Sequence, residues 1–594
     1  MDDNAPDFIL LDVNHVEKGT GRKIYNFQCS YCHGTFTNHK NAKEHIKKCK
    51  IAMTQSGPKT VTLDDFFKID NKNEDESQID SKEEKNEFDS FESSLMNLFA
   101  ECNIPFSQID HPAWQDFVHS INPDIELPCS QTFKSAFIEY SHSVLEESLN
   151  DMKDMVCGLA VDGTTFRKVH YYATILIGAG KIRLLKIEPV ESEDGQTLSK
   201  FLSETYKECK KYHIVISGVC SDNGPGIKAA LTKDHPLYFK ALVGDAVFWL
   251  SCSAHTSQLA MGDFLNFNKE LKDGIKTFLT LIAWLRKRED ILKEYVSCKL
   301  PSYVVTRWNT LVDTLQYFID NHDEVQRFIT EQASREISDY QDKIAHSRTP
   351  TRVPKPEPPP IDAIPEWWLE LFDATKIIRE FTDAVEGDLT FQQDLWKAYI
   401  ATEEKFNEIE ATNKYADSLH EFFVYRFIDT CNIDVAHLAY TLTAEGLQNF
   451  REEFEFDSDE YYAELGTLKS VLLTIAGRVY TKEEIGKLCI SGLFDYYITD
   501  VEFDQGDNLF SFWNQIGRTL AKKEGLNNGV PISIKPFADI ALIIVMMPCT
   551  EAVCERAFSQ MKNLLTDHNG KLSTEMFVAE ATVRLAQKYK RSYN

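Results

Sequence analysis

Two sets of residues in this chain have the types and spacing to do chemistry. Near the start, Cys29 and Cys32 are separated by two residues; His45 follows after twelve more and Cys49 after a further three. Zinc takes four soft or borderline ligands at tetrahedral corners, and a Cys-x-x-Cys knuckle with a His and a Cys one helical turn apart supplies them. With every position filled by protein, such a Zn²⁺ site folds a small module and does not catalyse. Phe27 and Phe36 stand where that module needs apolar filler. A helix predicted over 41–50 carries Lys43, Lys47 and Lys48, with Lys40 just before it, and these lysines suit DNA phosphates. The second set is acidic. Asp162 follows the apolar run 156–161, and Asp222 follows the run 214–220 with Ser221 between. Carboxylates at adjacent strand ends share divalent ions about 4 Å apart, the arrangement that serves phosphoryl transfer. Glu551 and Glu555 lie four residues apart in a predicted helix over 550–565, and by chemistry alone either is a third ligand. Cys252 and His255 have the spacing of half a metal site, with no second pair to complete it. They are expected to order the chain near the acids.

The elements that must position these residues follow from periodicity. Short apolar runs at 156–161, 171–177 and 183–188 predict three strands, a helix follows at 196–212, and 214–220 predicts a fourth strand. From about 250 to 530 the apolar spacing is mostly helical, interrupted by the proline-rich stretch 349–365. An apolar run at 537–547, the helix at 550–565 and an amphipathic helix at 573–589 close the chain.

Composition limits what this can be. The 594 residues carry 92 acidic and 64 basic side chains, a net charge of −28, so any DNA contact uses local basic patches on an acidic body. Hydrophobic residues at 43% and aromatics at 12% suffice for sizeable cores and exclude a wholly disordered chain. The first residues have no secretory character, the run at 540–547 is too short to span a bilayer, and the 14 cysteines are mostly isolated. The expectation is a soluble intracellular protein with reduced thiols and no membrane partner. Residues 16–50 hold eight basic and two acidic side chains; 64–92 hold twelve acidic residues and four lysines and are expected to be a disordered linker.

These residues, in this order, resemble the hAT (hobo/Activator) superfamily of DNA transposases. Cys29, Cys32, His45 and Cys49 look like a BED-type zinc finger. Residues 104–128 resemble the helical segment before the catalytic core, Asp162 in LAVDGTTF the first catalytic aspartate, and Asp222 in CSDNG the second. Cys252 and His255 in SCSAH match a motif that opens the family's helical insertion, and Arg307 and Trp308 in TRWNT match an Arg-Trp motif inside it. Only the match of AVCERAFS to the family's last motif selects Glu555 over Glu551.

The resemblance implies a multidomain α/β protein. Its ribonuclease H-like catalytic core is interrupted by a large all-α insertion and preceded by a small zinc finger. The boundaries expected are a tail at 1–15, the finger at 16–55, the acidic linker at 56–92 and a helical DNA-binding or dimerisation segment at 93–150. The core occupies 151–250, the insertion 251–530, and the rest of the core 531–594 with a C-terminal dimerisation region. The implied activity is cut-and-paste transposition on double-stranded DNA, both transposon terminal repeats and target, with flanking hairpins. Asp162, Asp222 and Glu555 would hold Mg²⁺ or Mn²⁺, Trp308 would stack near a hairpin or flipped base beside Arg307, and a nuclear homodimer or larger assembly would act. The alternative is a transposase-derived zinc-finger regulator that binds DNA without catalysis.

Overall fold

The computed structural model describes residues 8–16, 23–29, 35–36, 81–244, 247–267, 269–302, 309–347, 353–431, 433–503, 508–523, 525–567 and 572–593, and only the backbone of those before 91. The chain divides into two compact units, one of residues 1–84 with 106–136, the other of 85–105 with 137–594.

In the first unit, β1 (Phe8–Val16) pairs antiparallel with β2 (Lys23–Cys29), which pairs with β3 (Thr35–Phe36). Residues 8–15, expected as a tail, are therefore strand: FILLDVNHV alternates well enough to pair once a partner strand follows. Later in this unit the helix Pro112–Ile121 starts at a proline, which lacks the amide that a first turn leaves unbonded, and His111 caps it by accepting from the Ala113 N–H. The helix Ser81–Glu101, most of it in the second unit, begins inside the acidic stretch expected to be disordered, and its later turns bury Leu95, Met96, Phe99 and Ala100.

The second unit is built on a five-stranded mixed sheet. β4 (Val156–Phe166), β5 (Val169–Ile177) and β6 (Ile182–Val190) form an antiparallel meander. The helix Gly195–Lys211 then crosses over to β7 (Val215–Ser221), parallel to β4, and β8 (Trp249–Ser251) lies parallel beside β7, giving the order β6-β5-β4-β7-β8. The β4–β5 turn is Arg167-Lys168, at φ 50° and 67°. Both residues occupy the left-handed region that a two-residue hairpin turn needs.

Side chains alternate across β4. Cys157, Leu159 and Val161 enter one core with Leu198, Phe201 and Leu202 of the crossover helix. Ala160 enters the larger core with the helical part of the chain. That part runs from the helix Ser253–Phe267 through Trp367–Val385 and Asp459–Val479 to Leu509–Ile516. Three further helices, Lys535–Val545, Ala552–Asp567 and Thr574–Ser592, return to the sheet. Ser217 Oγ donates to the Met546 carbonyl at 2.8 Å, fixing the first of them behind β7. The protein is thus mixed α/β and mostly helical. No described helix is long and apolar enough to cross a membrane.

Two glycines make the packing testable. A Cβ on Gly158 would lie 2.5 Å from Pro548 Cδ and 3.0 Å from the Met546 carbonyl oxygen, whereas one on Gly466 meets nothing within 4 Å. Gly158→Ala is expected to destabilise the chain by ~1–3 kcal/mol through overpacking. Gly466→Ala, inside the helix Asp459–Val479, is expected to stabilise it by ~0.5–1 kcal/mol. Paired thermal unfolding measurements check both signs.

Candidate active site

The face alternation of β4 places its aspartate. Asp162 comes two residues after Ala160 and shares its side of the sheet. It lies within β4, not after it, because Thr164, Thr165 and Phe166 are good strand formers that carry pairing on to the turn. The parallel register sets Ala160 opposite Cys220. Two residues beyond this pair stand Asp162, within β4, and Asp222, just past the end of β7.

Each aspartate is held by a local amide. Asp162 Oδ1 accepts from the Gly163 N–H at 2.7 Å, and Asp222 Oδ1 from the Gly224 N–H at 3.1 Å. The second is an Asx turn, after which Pro225 starts the helix Pro225–Thr232. A Cβ on Gly224 would stand 3.0 Å from Asp222 Oδ1, so glycine keeps this turn open.

The helix Ala552–Asp567 brings the third acid, with Val553, Cys554 and Ala557 buried in the larger core. Glu555 lies exposed in its first turn. Glu551 precedes the helix rather than sharing its face with Glu555. It is only 3% exposed, and its Oε2 has no hydrogen-bond partner among the described residues. Burial raises Asp162 well above the usual carboxylate range, and the charges of Asp222 and Glu555 and the Cys252 thiol add to this against the Gly163 amide. Burial also raises Glu551 strongly, helped by Cys252 and Asp162. So Asp222 and Glu555, drawn from distant segments, both lie near enough to Asp162 to raise it, and Glu551 is a buried acid close to Asp162.

Short hydrogen bonds join these segments. The Cys252 N–H donates to the Ser221 carbonyl at 2.8 Å, and Trp249 Nε1 to Ser221 Oγ at 3.0 Å. Asn223 Nδ2 donates to Ser251 Oγ at 2.6 Å. Ser253 donates to the Cys549 carbonyl through its N–H at 2.9 Å and its Oγ at 2.7 Å. Cys252 is buried and His255 half-buried, and the His255 N–H donates to Cys252 Sγ at 3.4 Å. Burial raises the Cys252 thiol; donors on Cys220, Glu551 and Thr550 and the His255 amide outweigh it and bring it down to about 6.

Two neighbours escaped the sequence reading. Glu386, raised by burial and then by Glu555 and Cys252, lies just beyond the helix Trp367–Val385, far from any motif. Tyr172, on β5, is raised by burial and by Glu193, Asp222 and Asp162; its ring fills the space over Gly163. The alternation of β5 was the one available signal for Tyr172.

Carboxylate oxygens are the hard donors that Mg²⁺ and Mn²⁺ take, and three acids whose charges oppose one another suit a dication. Among the described residues no three His, Cys, Asp or Glu side chains stand as a formed metal cluster. The acids therefore match by kind and position, not as a closed cage. Of the expected zinc ligands, Cys29 ends β2, while Cys32, His45 and Cys49 lie outside the described residues, as do Lys40, Lys43, Lys47, Lys48, Arg307 and Trp308.

A cavity of about 1250 Å³ opens beside this site at Trp249 and Ser251 and reaches Trp396, whose ring stacks on His437 at 4.1 Å. Glu404, Asp429, Asp434, Glu445, Glu453 and Glu464 line it, so it repels phosphates.

No protein-family model and no curated protein sequence matches the chain. Among solved structures it is similar to the Drosophila P element transposase strand transfer complex, at 12% identity over 85% of this chain and 99% of that one, with a TM-score of 0.25. An overlap at that score carries no weight for fold or function.

The buried Glu551 gives a signed prediction. Its raised folded pKa means that its stability contribution is fully present below about pH 4.3, its unfolded value, and is lost as pH rises toward the folded pKa. Glu551→Gln keeps the shape and removes the titration. The variant is expected to match the parent near pH 4 and to exceed it by ~1–3 kcal/mol at pH 7.5. Denaturant unfolding across this range checks it; a gap that narrows with rising pH would contradict the assignment.

Proposed function

We propose that this chain is a cut-and-paste DNA transposase, an Asp-Asp-Glu nuclease and strand transferase of the hAT type. The observation that carries the reading is the approach of Asp222, just past β7, and Glu555, from a distant helix, to Asp162 on β4, close enough that their charges raise it. Such convergence destabilises a fold and persists where a reaction needs it. The motif order around the three acids supplies the reaction class.

In this reading Asp162 and Asp222 hold the divalent ions from the sheet, and Glu555 completes the set from the helix. When bound, the ions activate the attacking oxygen and stabilise the leaving oxygen of a phosphodiester. Gly163 and Gly224 orient the two aspartates through their amides. The Ser221–Trp249 and Asn223–Ser251 bonds stiffen the Asp222 turn, and the Tyr172 ring packs over Gly163, the residue whose amide holds Asp162. Water cuts one strand at each transposon end, the new flanking hydroxyl attacks the opposite strand to leave a hairpin, and the transposon 3′ hydroxyls then join target DNA. The BED-type finger of Cys29, Cys32, His45 and Cys49 holds Zn²⁺ and grips DNA with Lys40, Lys43, Lys47 and Lys48. Arg307 and Trp308 meet the strand near the hairpin, Cys252 and His255 order the entry to the insertion, and the C-terminal block pairs two copies in the nucleus.

Sequencing DNA on each side of the coding region supplies the substrate, since a mobile element is bounded by terminal inverted repeats. On such repeats, Asp162→Asn is expected to lower Mg²⁺-dependent strand cleavage at least ~100-fold, about 2.7 kcal/mol of barrier, without lowering thermal stability. Retained cleavage in that variant would end the catalytic assignment. The purified chain is expected to carry zinc, and Cys29→Ser to lose it together with most affinity for the repeats; metal analysis and DNA titration read both.

A further inference from the structure

The far end of β7 carries a second site. β8 pairs only with Val219, Cys220 and Ser221, so the first half of β7 has no strand beside it on that edge. A cavity of about 420 Å³ occupies the gap, lined by Tyr206, Lys210, His213, Phe248, Arg478 and Ile543 among others. Its described lining holds cations and no carboxylate, against a chain of net charge −28.

Arg478 is the informative residue. Its guanidinium lies over the Phe248 ring, 3.9 Å from the centroid. The side chain is exposed and makes no ion pair or hydrogen bond among the described residues. A guanidinium presents five donors in a planar fork that matches phosphate oxygens, and here the fork is open to a ligand. Lys210, lying over the Tyr206 ring at 5.1 Å, and His213 add charge at the same cavity. Its remaining walls, including Ile216, Val247 and Met547, are apolar. A ligand that satisfies both parts joins a phosphate to a planar or apolar body, and the volume admits something the size of a mononucleotide.

We propose that the cavity walled by Arg478, Lys210, His213 and Phe248 binds a nucleotide-type phosphate, on a free mononucleotide or at the end of a DNA strand. It lies about 20 Å along β7 from Asp222, so it is separate from the carboxylate site and does not rest on the transposase reading.

Calorimetric titration of the full zinc-loaded chain with AMP, inorganic phosphate and adenosine, at constant ionic strength, tests this. Expected are saturable AMP binding at one site per chain, weaker binding of phosphate and none of adenosine. Arg478→Ala and His213→Ala should each weaken AMP by about tenfold or more. If Arg478→Ala fails to fold, the exposed Lys210→Ala and His213→Ala carry the test. Absence of saturable AMP and phosphate binding to the parent chain, or AMP affinity unchanged in the folded variants, would overturn the proposal. Displacement of AMP by a 5′-phosphorylated DNA end but not by a 5′-hydroxyl end would support the strand end as the source; AMP binding without displacement would support the free nucleotide.

Discussion

Electrostatic repulsion between carboxylates is the interaction around which the second unit is arranged. Asp222, just past β7, and Glu555, in the first turn of its helix, lie near enough to Asp162 to raise it, and Glu551 is buried close to Asp162. Left to itself such a set separates or protonates. The fold prevents separation with short-range devices: an amide on each aspartate, glycine at 163 and 224, and side-chain donors from Trp249 and Asn223 that tie the Asp222 turn to β8. What remains pushes Asp162 and Glu551 upward from the usual carboxylate range, burial being the larger cause and the neighbouring charges the smaller. Holding like charges together costs stability that apolar residues at these positions would not.

Much of this was legible in the chain, for identifiable reasons. The apolar runs of β4, β5, β6 and β7 stand out because strands buried on both faces need continuous hydrophobicity, and the crossover helix follows from 3.6-residue spacing. The extension of β4 through Asp162 was not legible. Its turn is Arg167-Lys168, which adopts positive φ without the Asn-Gly or Asp-Gly signal that marks such hairpins. The choice between Glu551 and Glu555 was also closed to spacing. The structure separates them by environment, one sealed and one exposed, through a helix start that falls between them. Glu386 reaches the site only through tertiary packing, so no local pattern announced it.

The charge balance has a spatial meaning as well. With a net charge of −28, solvent-facing carboxylates are the default for this surface. The groove that opens at Trp249 obeys the default, its carboxylates outnumbering the single Lys397 around an aromatic floor. A cavity whose described lining holds Arg478, Lys210 and His213 breaks the default, and such a departure needs a physical cause on the ligand side.

The helical part between Ser253 and Cys549 leaves and rejoins the sheet at nearly one point. Ser253 donates twice to the Cys549 carbonyl, and Phe391 bridges Pro548, with Gln392 donating from its N–H to the Met547 carbonyl at 3.0 Å and from Nε2 to the Pro548 carbonyl at 2.9 Å. Closing a long loop costs little more than closing a shorter one, because each doubling in length adds only about 0.6 kcal/mol. Insertion length is therefore nearly free, while the joint is not. Its bonds are neutral and individually worth about 1 kcal/mol, yet they decide whether Glu555 faces Asp162 at all. The joint lies two residues before Glu551 and six before Glu555, and it follows β8, which is tied to the Asp222 turn, so it links the helical part to those acids.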